Sequence, residues 1–262
     1  MSIKPDKVDQ LLRQSGLWRA SSIAGHHNRQ NSSSGFAALD RHLPGGGWPA
    51  DGITELLHEQ QGIGEFRLLL PALARLSQAS SRWIMLVNPP YIPYPPALLQ
   101  ASVSMERLVV SRAGNRRDYL WTLEQTLGSG SCTAVIAWPS QLNPKDIRRL
   151  QVAGKEGGTW GILFRHERNA KTASPAELRI LLKSGSPSKD ASSLLVRILK
   201  RRGGWESEDI CLQFDDQLHR PMPDFTELQV QLPAASFRQK RITSSPGKAR
   251  RAGRHQPSLR HD

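Results

Sequence analysis

The chain predicts an α/β fold: a mostly parallel sheet flanked by helices, carrying antiparallel strands at its C-terminal end and then a disordered basic tail. Three observations lead there. Apolar runs of strand length alternate with helix-period segments between Gly52 and Arg165, the pattern of parallel strands joined by crossover helices. After His166 three strand-like segments follow one another with no helix between them, which suits antiparallel pairing. From Pro233 onward periodicity stops, and Ser, Pro, Gly and Arg dominate.

The elements follow in order. Val8, Leu11 and Leu12 in Lys7–Trp18 fall at helical spacing, and residues 20–34 are a Ser-, Asn- and His-rich linker. A short helix over Gly35–His42 and a Gly/Pro loop lead to a strand beginning near Gly52. Residues 64–80 read as a helix with Leu68, Leu69, Ala72, Leu73 and Leu76 on one face. A strand at 82–90 ends in a stiff loop set by Pro89, Pro90, Pro93, Pro95 and Pro96. Strands follow at 108–112, 132–138 and 159–165, with helices at 115–128 and 144–156; the unbroken apolar run at 132–138 marks a central strand. The last three strands are 178–183, 193–202 and 206–214.

Composition narrows the function classes. The 262 residues are 38% hydrophobic, enough for a core, and carry a formal charge of +13. Residues 233–262 hold eight Lys and Arg against Asp262, so more than half of that charge sits in the last thirty residues. No apolar run is long enough for a transmembrane helix, and the charged N-terminus lacks the core of a secretory signal, so a cytoplasmic, non-membrane protein is expected. Cys132 and Cys211 lie in apolar stretches and read as reduced core residues. His26-His27 has no companion ligands, so no metal site is expected. The expected partition is an N-terminal segment and linker (1–32), one α/β domain (33–232) and the basic tail (233–262).

Local spellings add a family resemblance. Ser34-Gly35, Leu39-Asp40, Gly45-Gly46-Gly47, Pro49 and the strand from Gly52 to Glu55 resemble the entry to a RecA core. The spelling LPGGGWP, then TELL and RLLLPAL, resembles the ImuA family, RecA-like proteins of translesion DNA synthesis. The related SulA division inhibitors share Leu69-Leu70-Pro71, Leu73, Leu76-Ser77-Gln78 and Ser80 through Trp83. The resemblance implies a RecA-like core and, as partners, RecA, an ImuB-type Y-family-like protein and, indirectly, a DnaE2-type polymerase, with self-association and nucleoid association when engaged.

A RecA-like core would carry a phosphate-binding loop after its first strand, ending Gly-Lys-Ser/Thr. Here Gly62 and Gly64 are present, but Glu65 falls at the Lys position and Phe66 at the hydroxyl position. Trp138 stands where a metal-binding Asp would end its strand, and prolines and tyrosines replace the catalytic Glu after the 82–90 strand. A carboxylate beside phosphate repels it. A non-enzymatic protein without cofactor is therefore expected.

Binding readings remain. Arg165, Arg168 and Lys171 in the loop 165–175 and Arg238, Lys240, Arg241, Lys248, Arg250, Arg251 and Arg254 in the tail are candidates for weak, non-specific phosphate contact. Leu11, Leu12 and Trp18, on a helix too short to persist alone, are candidates for docking on a protein, as are Lys200, Arg201 and Arg202 at a strand end. Against each stands a plain structural role: a solvated basic loop, a segment packed on its own core, an exposed strand end. The expected function is a non-catalytic accessory factor in SOS-induced translesion synthesis; the alternative is a SulA-like inhibitor that binds the tubulin-like division protein.

Overall fold

Thirteen segments carry regular structure in the computed structural model, which describes residues 31–185, 193–204 and 206–214. They are α1 (Ala37–Asp40), β1 (Gly52–His58), α2 (Leu70–Ala79), β2 (Trp83–Val87), α3 (Pro95–Gln100), β3 (Leu108–Ser111) and α4 (Arg116–Gly128). Then come β4 (Cys132–Ala137), α5 (Pro144–Gly157), β5 (Trp160–His166), β6 (Leu178–Ser184), β7 (Ser193–Lys200) and β8 (Ile210–Gln213).

The strands form one sheet in the order β3-β2-β4-β5-β1-β6-β7-β8. The pairs β1–β5, β1–β6, β2–β3, β2–β4 and β4–β5 are parallel; β6–β7 and β7–β8 are antiparallel. This corrects the expectation of a mostly parallel, RecA-like core carrying a separate extension: the sheet is mixed and continuous. The reason is the connections. Only residues 185–192 separate β6 from β7, too few for a crossover, so the chain must turn back and pair antiparallel. β6 itself is hydrogen-bonded to β1, with Glu55 opposite Arg179, so the hairpin grows directly from the middle of the sheet.

Both faces are covered. Along β4, Ala134 and Ile136 join a core with Leu68, Leu69, Leu73 and Trp48 on the α1/α2 side. Val135 and Ala137 point the other way, to Leu123 and Leu127 of α4 and Ile147 and Leu150 of α5. That is why β1 and β4 are buried at every position; β4 reads as a nearly unbroken apolar run, while β1 also buries Thr54, Glu55 and His58. Trp48 is wholly buried and stacks on Trp160, whose ring nitrogen donates to Thr54 Oγ1 at 2.9 Å.

Local chemistry sets the helix ends. Asn143 and Asp146 form a reciprocal capping box on α5, which ends at Gly158 in the left-handed region with φ 54°. α2 starts at Leu70, later than the apolar period suggests. Gly62 and Gly64 hold φ of 83° and 96°, which no helix continues, and Pro71 lies in the first turn, where its missing N–H costs nothing. Likewise α3 lies inside the supposed stiff loop, with Pro95 and Pro96 in its first turn. No helix among the described residues is long and apolar enough to cross a membrane.

Candidate functional site

Strands β1, β2, β4 and β5 run in one direction, so their C-terminal ends share an edge, the usual ligand side of such sheets. The loop after β1 is turned in upon itself. The Glu65 carboxylate accepts the Gly62 N–H at 2.9 and 3.1 Å, occupying an amide that a phosphate-binding loop would offer its ligand. Gly64 lies under Phe214; a Cβ there would come within 2.6 Å of that ring. The Arg67 guanidinium sits 4.5 Å from the Phe214 centroid, a cation–π contact. Phe66 lies 6.2 Å from Trp138, and Trp138 stacks on Phe164 at 5.1 Å with 16° between the planes. His58 meets the edge of Phe164. Burial drives the Tyr119 phenol of α4 above its ordinary pKa, so the phenol stays neutral.

These residues do not fit a magnesium-bound nucleoside triphosphate. The position for a lysine holds a carboxylate, and the positions for the hydroxyl and the metal-binding carboxylate hold two aromatic rings that pack as part of one cluster.

Below the cluster lies a buried ionic triad. Glu55 is wholly buried and accepts from Arg165 Nη1 and, at 2.7 Å, from Arg179 Nε. Arg165 Nη2 also donates to the Leu142 carbonyl at 3.0 Å and to Asn169 Oδ1 at 2.9 Å, and Arg179 Nη2 donates to the Asn169 carbonyl at 2.8 Å. The triad ties β1, β5 and β6 to the turn after β5.

The loop after β2 behaves otherwise. Asn88, at φ 49°, clips it to the segment beyond β3: its side chain donates to the Ala113 carbonyl at 3.1 Å and accepts the Ala113 N–H at 2.7 Å. Beyond that clip Tyr91, Ile92 and Tyr94 are 72%, 83% and 63% exposed. Beside them a cleft of about 1210 Å³ opens along the edge, lined by both loops and by the ends of β4 and β5.

The residues singled out from sequence fare differently. Arg165 and Arg168 both reach this cleft, but Arg165 is 8% exposed and its guanidinium is committed to Glu55, which leaves it no free face for phosphate. Arg168 and Lys171 are exposed on the 3-10 turn after β5. The three basic residues at the end of β7 do not act together. Lys200 Nζ donates to the Ser174 carbonyl at 2.7 Å, Arg201 donates to the His42 carbonyl, and Arg202 is exposed. Leu11, Leu12, Trp18, His26, His27 and all the tail cations from Arg238 to Arg254 lie outside the described residues. Sequence reasoning passed over Tyr91, Ile92 and Tyr94. The signal was there in PPYIPYPP: prolines that hold a loop open around three large side chains with no periodicity to bury them.

Comparison with known proteins decides which of the two resemblances stands. A family model described as "Cell division inhibitor SulA" matches residues 52–161, from β1 into β5. SulA of Yersinia enterocolitica is 29% identical over 113 residues, covering 43% of this chain and 67% of that protein. SulA of Photorhabdus laumondii is 29% identical over 113 residues, covering 43% of this chain and 63% of that protein. SulA of Pectobacterium carotovorum is 27% identical over 151 residues, covering 57% and 87%. A crystal structure of SulA from Pseudomonas aeruginosa aligns with 43% of this chain and 97% of its own, at 24% identity and a TM-score of 0.37. The first two relatives are thus matched over about two thirds of their length, and β6–β8 fall outside the family-model match.

These findings overturn the ImuA reading, and with it the translesion function and the partners RecA, an ImuB-type protein and a DnaE2-type polymerase. The physical reason is that LPGGGWP, TELL and RLLLPAL, the spellings that carried the ImuA reading, supply core residues such as Leu43, Trp48, Leu56 and Leu57, and the string shared with SulA is structural as well. Ser77 Oγ accepts the Ser104 N–H at 3.0 Å, Gln78 donates to the Ser102 carbonyl at 2.7 Å, and Arg82 donates to the carbonyls of Gly157 and Gly158 and to Thr159. Leu69 and Leu73 are core. Such residues hold α2 and β2 in place, so their spelling follows the scaffold and says little about which partner the surface meets.

Proposed function

We propose that the protein is a SulA-like inhibitor of cell division in the SOS response, acting in the cytoplasm by binding the tubulin-like division protein and not by catalysis. The observation that carries this reading is the match of residues 52–161 to the SulA family model. The self-occupied loop supports its non-enzymatic part: Glu65, Phe66 and Trp138 satisfy one another and their neighbours where an ATPase would keep groups free for phosphate and metal.

The test has two arms. Induced in a rod-shaped bacterium, the full chain should give filaments without septa. Purified, it should lower the sedimentable, GTP-dependent polymer of the division protein, with no phosphate release from ATP when alone. Normal division at matched expression, together with unchanged polymer, would sink the reading.

A further inference from the structure

We propose that the Tyr91-Ile92-Tyr94 tip and the cleft beside it form one docking surface, which takes an extended segment of the protein partner bearing an apolar side chain next to a carboxylate. The inference rests on the division-inhibitor reading and assigns it a surface.

The apolar half of the surface is the tip. Three large side chains within four residues stand mostly in water, a concentration that monomeric surfaces seldom carry without a use. Their loop is already ordered. Asn88 clips one end through two hydrogen bonds, and Pro95 and buried Leu98 anchor the other as α3 begins. Prolines between the anchors restrict the backbone further. A stiff loop loses little freedom on binding, and tyrosine gives large contact area with few rotatable bonds.

The polar half is the cleft, and its chemistry favours a peptide over a nucleic acid. Three arginines line it, but Arg165 is bound to Glu55 and Arg116 to Asp146 at 2.6 Å. Arg168 is exposed, with no carboxylate partner among the described residues. One open cation suits one carboxylate, whereas a strand of phosphates is met by several free cations along its track. Exposed Gln60, Gln61 and Gln141 also line it, together with exposed Glu59, whose carboxylate disfavours a run of negative charges in the ligand. Each side-chain amide both donates and accepts, as the alternating N–H and C=O of an extended backbone require.

The test measures binding of the full chain to the purified division protein by isothermal titration, with thermal melts to confirm folding. Ile92→Asp should weaken binding at least tenfold, Tyr91→Ala by several fold, and Arg168→Glu by several fold with a shallower salt dependence. Val152→Ser, at an exposed position of α5, should bind as the wild type does. The outcomes separate cleanly. A wild-type chain that does not bind the division protein overturns the function and the docking surface together. A wild-type chain that binds, with Ile92→Asp, Tyr91→Ala and Arg168→Glu all within twofold of it, overturns the docking surface alone. Binding of a labelled oligothymidylate that is lost on the same three substitutions overturns the peptide in favour of a nucleic acid.

Discussion

The loop after β1 and the loop after β2 leave the sheet at the same edge, with β4 and β5 between them, and line the same cleft. In the first, the groups standing where phosphate and metal would be held meet the protein instead. Glu65 takes the loop's own amide, Phe66 and Trp138 pack together, and Glu55 beneath them joins two arginines. In the second, the backbone is clipped at Asn88 and the side chains are left in water. An edge closed in one place and open in another offers a surface to meet and no pocket built for phosphate. The comparison also makes a quantitative demand: substitutions in the closed loop should cost stability, and those in the open loop should cost almost none.

The largest effect is expected at Glu55. Glu55→Gln keeps the shape but removes the carboxylate that, among the described residues, faces two buried guanidiniums, Arg165 and Arg179. Breaking a buried ion pair from one side costs about 3–5 kcal/mol. Urea or thermal unfolding should report a loss of that size, roughly 10 °C in Tm for a domain of this length. A loss under about 1 kcal/mol would show that Arg165 swings out into the cleft at little cost, and the edge would then not be closed at all.

How much of this the sequence disclosed depends on range. β4 is legible as a nearly continuous apolar run and β1 and β5 as largely apolar segments, although each buries a charge, Glu55 and Arg165; the start of α5 is legible because an asparagine, a proline and an aspartate fall where a cap needs them. The start of α2 is misread because apolar spacing says nothing of the left-handed glycines and Pro71 that delay it. In sequence Arg165 looks like a free cation in a basic loop because its partner Glu55 stands 110 residues earlier in the chain, and only the pairing of β1 with β5 brings them together. The ImuA resemblance misleads for a related reason: LPGGGWP, TELL and RLLLPAL, which carry it, supply buried core residues such as Trp48, Leu56, Leu69 and Leu73, a packing task that more than one family can share.

A smaller effect is expected at Glu65. Glu65→Ala leaves the loop its glycines but takes away the acceptor for the Gly62 amide. A hydrogen bond of this kind is worth about 1 kcal/mol net, and water can replace part of it on an exposed loop. The urea midpoint should fall slightly, while hydrogen exchange at the Gly62 amide should become much faster. Unchanged exchange would mean that the carboxylate does not close the loop, and the contrast with the loop after β2 would lose its clearest term.

The smallest effect, and the one that tests the other side of the comparison, is expected at Ile92. At 83% exposed this side chain has little surface to return to water, so Ile92→Ser should leave stability within about 0.5 kcal/mol of the wild type. Buried isoleucine truncated so far would cost several times as much. The difference is read from paired urea unfolding curves, in which the slope should also stay constant, since no area exposed on unfolding has changed appreciably. A loss above about 1.5 kcal/mol would place Ile92 against other parts of this chain in solution. The tip would then be folded onto its own surface, as the loop after β1 is, and would not stand free to meet a partner.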